Sequence, residues 1–113
     1  MGASLSETLP ENENAKHRVV IEYCGVRPYE SEAYEMVIKL NKKFPGQFKF
    51  VVSRDSGFTD RLECQIIFDA AKPRKARQVV IHSKTRGMGH ADSNWRAFLD
   101  RASEALFNHE LLK

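Results

Sequence analysis

The sequence predicts an α/β domain in which a four-stranded mixed sheet and two helices follow the order β-α-β-β-β-α. Three observations carry the prediction. Four short runs read as strands, and two of them, 18–24 and 62–69, alternate with the period of a strand. Two longer stretches instead repeat their apolar residues at spacings of three and four, the period of a helix. Between them stand residues that punctuate regular structure, among them Pro28, Pro45-Gly46, Gly57 and Gly87. A length of 113 residues leaves room for one such domain.

Structure is expected to start at Arg18. Val19, Ile21 and Tyr23 alternate with Val20, Glu22 and Cys24, which gives a first strand over 18–24. A Gly-Val-Arg-Pro turn follows, and Pro28 is tolerated there because a first helical turn needs no amide donor. From Glu30 to Phe44 the apolar stripe is Ala33, Val37, Leu40 and Phe44, with Tyr34 and Met36 near its flanks, and Pro45-Gly46 stops the helix. A second strand covers 48–52, and Asp55-Ser56-Gly57 has turn chemistry. The third strand, over 62–69, sets Leu62, Cys64, Ile66 and Phe68 on one face, with Glu63 and Gln65 on the other. A basic connection leads to a fourth strand over 78–83, and Arg86-Gly87-Met88-Gly89 turns the chain. Asp92 or Ser93 then caps a helix over 93–107 that carries Trp95, Phe98, Leu99, Ala102 and Leu106 at helical spacing. Strands one and two flank a helix and should lie parallel through a right-handed crossover. Strands three and four are close enough to form an antiparallel hairpin. This is the minimal thioredoxin-like arrangement, and it is expected over 18–109, with 110–113 as a C-terminal tail.

Composition narrows the function classes. Residues 1–17 are polar, carry Glu7, Glu11 and Glu13, and read as a disordered tail without a signal peptide. Met1-Gly2-Ala3-Ser4-Leu5-Ser6 fits the myristoylation pattern at Gly2. One acyl chain gives only weak membrane contact, and the acidic tail supplies no polybasic second signal. Two cysteines are too few for a disulfide framework, so a reducing cytoplasm is the expected compartment. Eighteen basic residues against fifteen acidic ones make a nearly balanced surface, without the clustering of a nucleic-acid footprint. His17, His82, His90 and His109 are scattered and show no metal-ligand spacing with the cysteines.

Against that frame, Val20-Ile21-Glu22-Tyr23-Cys24-Gly25-Val26-Arg27-Pro28-Tyr29 resembles the redox loop of the selenoprotein W-like (Rdx) family. Lys43-Phe44-Pro45-Gly46 agrees, as does Ile81-His82-Ser83-Lys84 with Gly87 and Gly89, and the resemblance spans Arg18 to Phe107. It implies a small thioredoxin-fold protein doing thiol redox chemistry at a Cys-x-x-selenocysteine or Cys-x-x-Cys site. Only Cys24 carries over. Arg27 stands at the second redox position, which rules out a disulfide within that motif. The basic stretch from Lys72 to Arg77 is longer than typical members carry.

Cys24 and Arg27 are the candidate catalytic residues. A cysteine at the end of a strand and just before a helix N-terminus is favoured as thiolate, and a neighbouring guanidinium adds to that. Arg27 would stabilise the sulfur and pair with a glutathione carboxylate. Cys64 alternates with large apolar residues and reads as a core residue too far from Cys24 to bridge it. The expected function is that of a single-thiol redox protein using glutathione or protein thiols, with no bound cofactor. The alternative is a non-enzymatic interaction module whose partner docks at the redox loop or the basic hairpin. In that hairpin Lys72, Arg74, Lys75 and Arg77 either meet phosphate groups or an acidic surface, or simply blunt the edge of the sheet. Trp95 reads as a core anchor, Gly87-Met88-Gly89 as a turn, and His82 has no assigned role.

Overall fold

The computed structural model describes residues 9–112, so Gly2 and Ser6 of the myristoylation pattern lie outside the described residues. Strand β1 (His17–Tyr23), helix α1 (Glu30–Lys43), strands β2 (Phe48–Arg54), β3 (Leu62–Phe68) and β4 (Arg77–Ser83), and helix α2 (Trp95–Leu111) follow in the expected order. The sheet order is β2-β1-β3-β4. β1 pairs parallel with β2 and antiparallel with β3, and β3 pairs antiparallel with β4, which makes the sheet mixed.

Period-2 burial explains why these segments are strands. Val19, Ile21 and Tyr23 on β1, and Leu62, Cys64, Ile66 and Phe68 on β3, are buried, while the residues between them are not. Both helices cover that one face. α1 supplies Ala33, Met36, Val37 and Leu40, and α2 supplies Phe98, Ala102 and Ala105. Each large side chain so removed from water contributes roughly 1.5–3 kcal/mol. Met36, expected at the flank of its helix, is fully buried. The reason is that α1 packs against α2 as well as the sheet, so its covered arc is wider than one stripe.

The start of α2 differs from the sequence reading. Asn94, and neither Asp92 nor Ser93, caps it by accepting from the Ala97 N–H at 3.0 Å. Ala91–Ser93 forms a separate 3₁₀ turn because Glu32 of α1 draws in the amides of Ala91 and Asp92, at 2.5 and 3.2 Å. α2 also continues to Leu111, past the boundary drawn at 109. At the other end, part of the segment read as a tail lies along the domain. Leu9 packs on the core, and the Asn12 amide donates to Asn41 Oδ1 and to the Phe48 carbonyl, at 3.0 and 2.9 Å. Among the described residues no helix is long and apolar enough to cross a membrane.

Candidate functional site

Cys24 follows β1 directly, and its own N–H donates to the Arg61 carbonyl at 2.9 Å. The sheet order dictates what lies over it. β2 and β3 flank β1, so the connection between them, residues 55–61, has to cross the end of β1. It is fastened there at several points. The Asp55 N–H donates to the Tyr23 carbonyl at 2.8 Å, and the Gly25 N–H to the Gly57 carbonyl at 3.2 Å. The Asp55 carboxylate accepts from Thr59 Oγ1 at 2.6 Å and from the Arg61 guanidinium at 2.7 and 3.0 Å. The Arg61 hydrogen bonds are the main reason its carboxyl stays below the usual range. Crossing this closely requires glycine at position 25, because a Cβ there would sit 2.0 Å from the Asp55 carbonyl oxygen.

The crossing loop brings main-chain donors to the sulfur. The Thr59 N–H reaches Cys24 Sγ at 3.3 Å, and the thiol faces the Gly57 carbonyl at 3.9 Å. Burial opposes ionisation, but the backbone N–H groups of Arg27, Thr59, Val26 and Asp60 outweigh it and pull the thiol from 9.0 down to about 6. Two of these amides come from the turn entering α1 and two from the crossing loop, so the sulfur is held between them. Cys24 is 0% exposed, at the side of a hollow of about 200 Å³ that Tyr23, Val26, Arg27, Glu30 and Arg54 also line. Val26 and Phe58 stand beside it at 64% and 60% exposure.

Arg27 acts differently from the sequence expectation. Its guanidinium turns to Asp60, 3.8 Å away, and lies over the Phe58 ring at 5.2 Å. It is the residue's amide that faces the sulfur. Asp60 draws the guanidinium away because it is a cation-collecting carboxylate. It also accepts from the Tyr29 hydroxyl at 2.6 Å and from Lys84 Nζ at 2.9 Å, and these bonds, Tyr29 first, hold its carboxyl down. Arg54, opposite Tyr23 in the parallel register, donates to the Gly25 carbonyl at 2.7 and 3.2 Å and pins the loop before α1.

Cys64 is fully buried, and burial pushes its thiol up. It pairs with Ile21, whereas Cys24 lies opposite Arg61. Three residues along a strand separate the cysteines by roughly 10 Å, beyond the reach of an unstrained bridge. His82 is buried on β4, with its ring between the Gly89 carbonyl at 2.9 Å and Arg101 at 3.1 Å, and burial lowers its basicity. Trp95 packs on the core against Phe98 at 5.6 Å.

The sequence reading did not assign Arg54, Asp55, Thr59 or Asp60 to the site. Its one signal was the Asp55-Ser56-Gly57 turn, whose place over Cys24 follows only from strand order. The fold also gathers two groups with metal-ligand atoms within 4.8 Å of one another: His17, Asp69 and His109, and Glu32, His90 and Asp92. In the second, Glu32 is already occupied by the His90 ring at 2.8 Å and the two amides it caps. No protein-family model and no curated protein matches this chain.

Proposed function

We propose that this is a single-thiol redox protein with a thioredoxin-like fold of the selenoprotein W-like kind, acting through Cys24 with glutathione as its external thiol. The observation that carries the reading is the Thr59 N–H of the crossing loop, 3.3 Å from Sγ, which with the backbone of Arg27, Val26 and Asp60 brings the thiol to about 6. At neutral pH most of it is thiolate, the form that attacks a disulfide. The thiolate attacks one sulfur of glutathione disulfide, the S–S bond breaks, and glutathione thiolate leaves with the electron pair. With Cys64 out of reach, the mixed disulfide persists until a second glutathione thiolate attacks the glutathionyl sulfur. That step returns Cys24 thiolate and regenerates glutathione disulfide, and the low thiol pKa makes Cys24 a good leaving group in it. Because Cys24 is covered, attack also requires the crossing loop or the Val26 edge to move aside. Arg27 and Arg54 line the hollow and supply positive charge for a glutathione carboxylate.

The test is incubation of the protein with glutathione disulfide at pH 6–7, followed by intact mass and peptide mapping. One glutathionyl group on Cys24, released by excess reduced glutathione, is the expected result. A protein that stays unmodified while its denatured form reacts would overturn the redox reading. The exposed Val26 and Phe58 beside the hollow favour a second reading, an interaction module that meets its partner at this rim.

A further inference from the structure

At the opposite end of β1 from Cys24, roughly 25 Å away along the strand, lies a basin of about 630 Å³. Lys16, Asp69, Lys72, Lys75, Arg77 and His109 line it. Its wall is folded into place. The chain leaves β3 at Asp69 with φ 52°, a conformation aspartate tolerates better than most residues. The Ala70 N–H then donates to the Lys16 carbonyl at 3.1 Å, the Lys72 N–H to Asp69 at 2.9 Å, and the Lys75 N–H to Lys72 at 2.8 Å. These successive turns bring Lys72 and Lys75 to the basin together. Arg77 lies over the Phe68 ring at 5.3 Å, and the His109 ring stacks on the same phenylalanine at 4.3 Å.

The state of His109 decides what such a basin takes. Arg77 Nη2 is 3.4 Å from His109 Nδ1, and a guanidinium can only donate, so Nδ1 accepts. The neutral ring then carries its hydrogen on Nε2. His109 is 7% exposed, and its Nε2 is buried without a hydrogen-bond partner, with the nearest Asp69 oxygen at 3.4 Å. A buried N–H left unmatched is a costly group that an acceptor would satisfy. A metal ion is disfavoured here, although His17, Asp69 and His109 have the spacing for one. Nε2 offers a hydrogen where a metal needs a lone pair, Nδ1 faces Arg77, and the His17 Nδ1 already accepts from the Asp69 N–H at 3.0 Å. Four cationic side chains against one carboxylate favour an anion instead.

We propose that this basin binds a small phosphate-bearing anion, a phosphomonoester or diphosphate, with Lys16, Lys72, Lys75 and Arg77 supplying charge and His109 Nε2–H donating to a phosphate oxygen. The volume exceeds that of one phosphate group and leaves room for the organic part of a small ligand.

The experiment is titration of the full chain with inorganic pyrophosphate at low salt, followed by calorimetry and by the ¹⁵N signals of the His109 ring. Saturable one-to-one binding that shifts the His109 Nε2 resonance is expected. Lys72→Glu and Lys75→Glu should each weaken it about tenfold or more, as loss of a charge-assisted contact does. Arg74→Glu makes the same charge change outside the basin lining and should weaken binding less than threefold. Equal weakening by all three would show a diffuse field and overturn the site. Absence of saturation at millimolar pyrophosphate, or zinc binding at His109 without any anion binding, would overturn it too. The wild-type titration stands without the variants, so a variant that failed to fold would not protect the proposal.

Discussion

Replacing Thr59 by proline deletes the one N–H seen 3.3 Å from Cys24 Sγ and should raise the thiol's midpoint by roughly one pH unit. Burial works in the opposite direction, so the amides of Arg27, Thr59, Val26 and Asp60 together account for more than the whole descent from 9.0 to about 6. Divided among four donors, the loss of one carries the midpoint to roughly pH 7. Two neighbouring variants should leave it where it is. Thr59→Ala keeps the amide and loses the hydroxyl's bond to Asp55 and the one it accepts from the Arg61 N–H, and Arg27→Ala keeps the amide while deleting a guanidinium that points at Asp60. The assay is the rate of alkylation by iodoacetamide from pH 4 to 10, mapped to Cys24. At pH 5.5 about a quarter of a thiol of pKa 6 is thiolate, against roughly 0.03% of one that has kept the starting value of 9.0. The lower basicity costs about twentyfold in nucleophilicity, which leaves Cys24 about thirtyfold ahead at that pH and about twentyfold behind at pH 10. The cover over the sulfur slows both limbs alike, so the midpoint is the readout. If Arg27→Ala raises the midpoint as far as Thr59→Pro does, the main-chain account of the thiolate is wrong.

Gly25→Ala forces a Cβ to 2.0 Å from the Asp55 carbonyl, so urea denaturation should show a loss of roughly 1–3 kcal/mol, and the Cys24 midpoint should rise as the crossing loop lifts. The Asp55 carboxyl is depressed in the folded state, chiefly by Arg61. Its contribution is therefore present above the unfolded carboxylate pKa, near 4, and is lost as pH falls through the folded value; Asp55→Asn should flatten the acid limb of a stability-against-pH curve. Arg27→Cys should form an intramolecular disulfide with Cys24 on oxidation, read as the loss of two hydrogens by intact mass, while wild type should take up glutathione instead.

The sheet and helices were legible because burial on one face imposes a simple period on the chain. Leu62, Cys64, Ile66 and Phe68 alternate in sequence and are buried in the structure. The helix start was less legible. Asp92, Ser93 and Asn94 are all good caps, and the choice fell to Asn94 only because Glu32, sixty residues earlier, folds the preceding segment into its own turn. The site was half legible for the same reason. Cys24 at the strand end could be read locally, but the donors from residues 59 and 60 arrive through strand order, which sequence spacing does not display. The basin at the far end shows this most clearly, since Lys16, Lys75 and His109 meet only when β1, the β3–β4 connection and the end of α2 come together.

The amide origin of the thiolate makes the nucleophile at 24 independent of which side chain stands at position 27. Were the charge on the sulfur stabilised by the side chain at 27, exchanging that side chain would change the nucleophile. The N–H of residue 27 faces Sγ whatever the side chain is, provided the turn into α1 keeps its shape. That turn is held by groups independent of Arg27, namely Arg54 on the Gly25 carbonyl and the Gly25 amide on Gly57. Position 27 is thus free to exchange arginine for cysteine without losing the thiolate at 24. Arg27→Cys should therefore gain an internal resolving thiol while keeping a low midpoint at Cys24, and its glutathione adduct should decay without added thiol. If the variant forms the adduct and holds it as wild type does, the turn does not keep the geometry on which this argument depends.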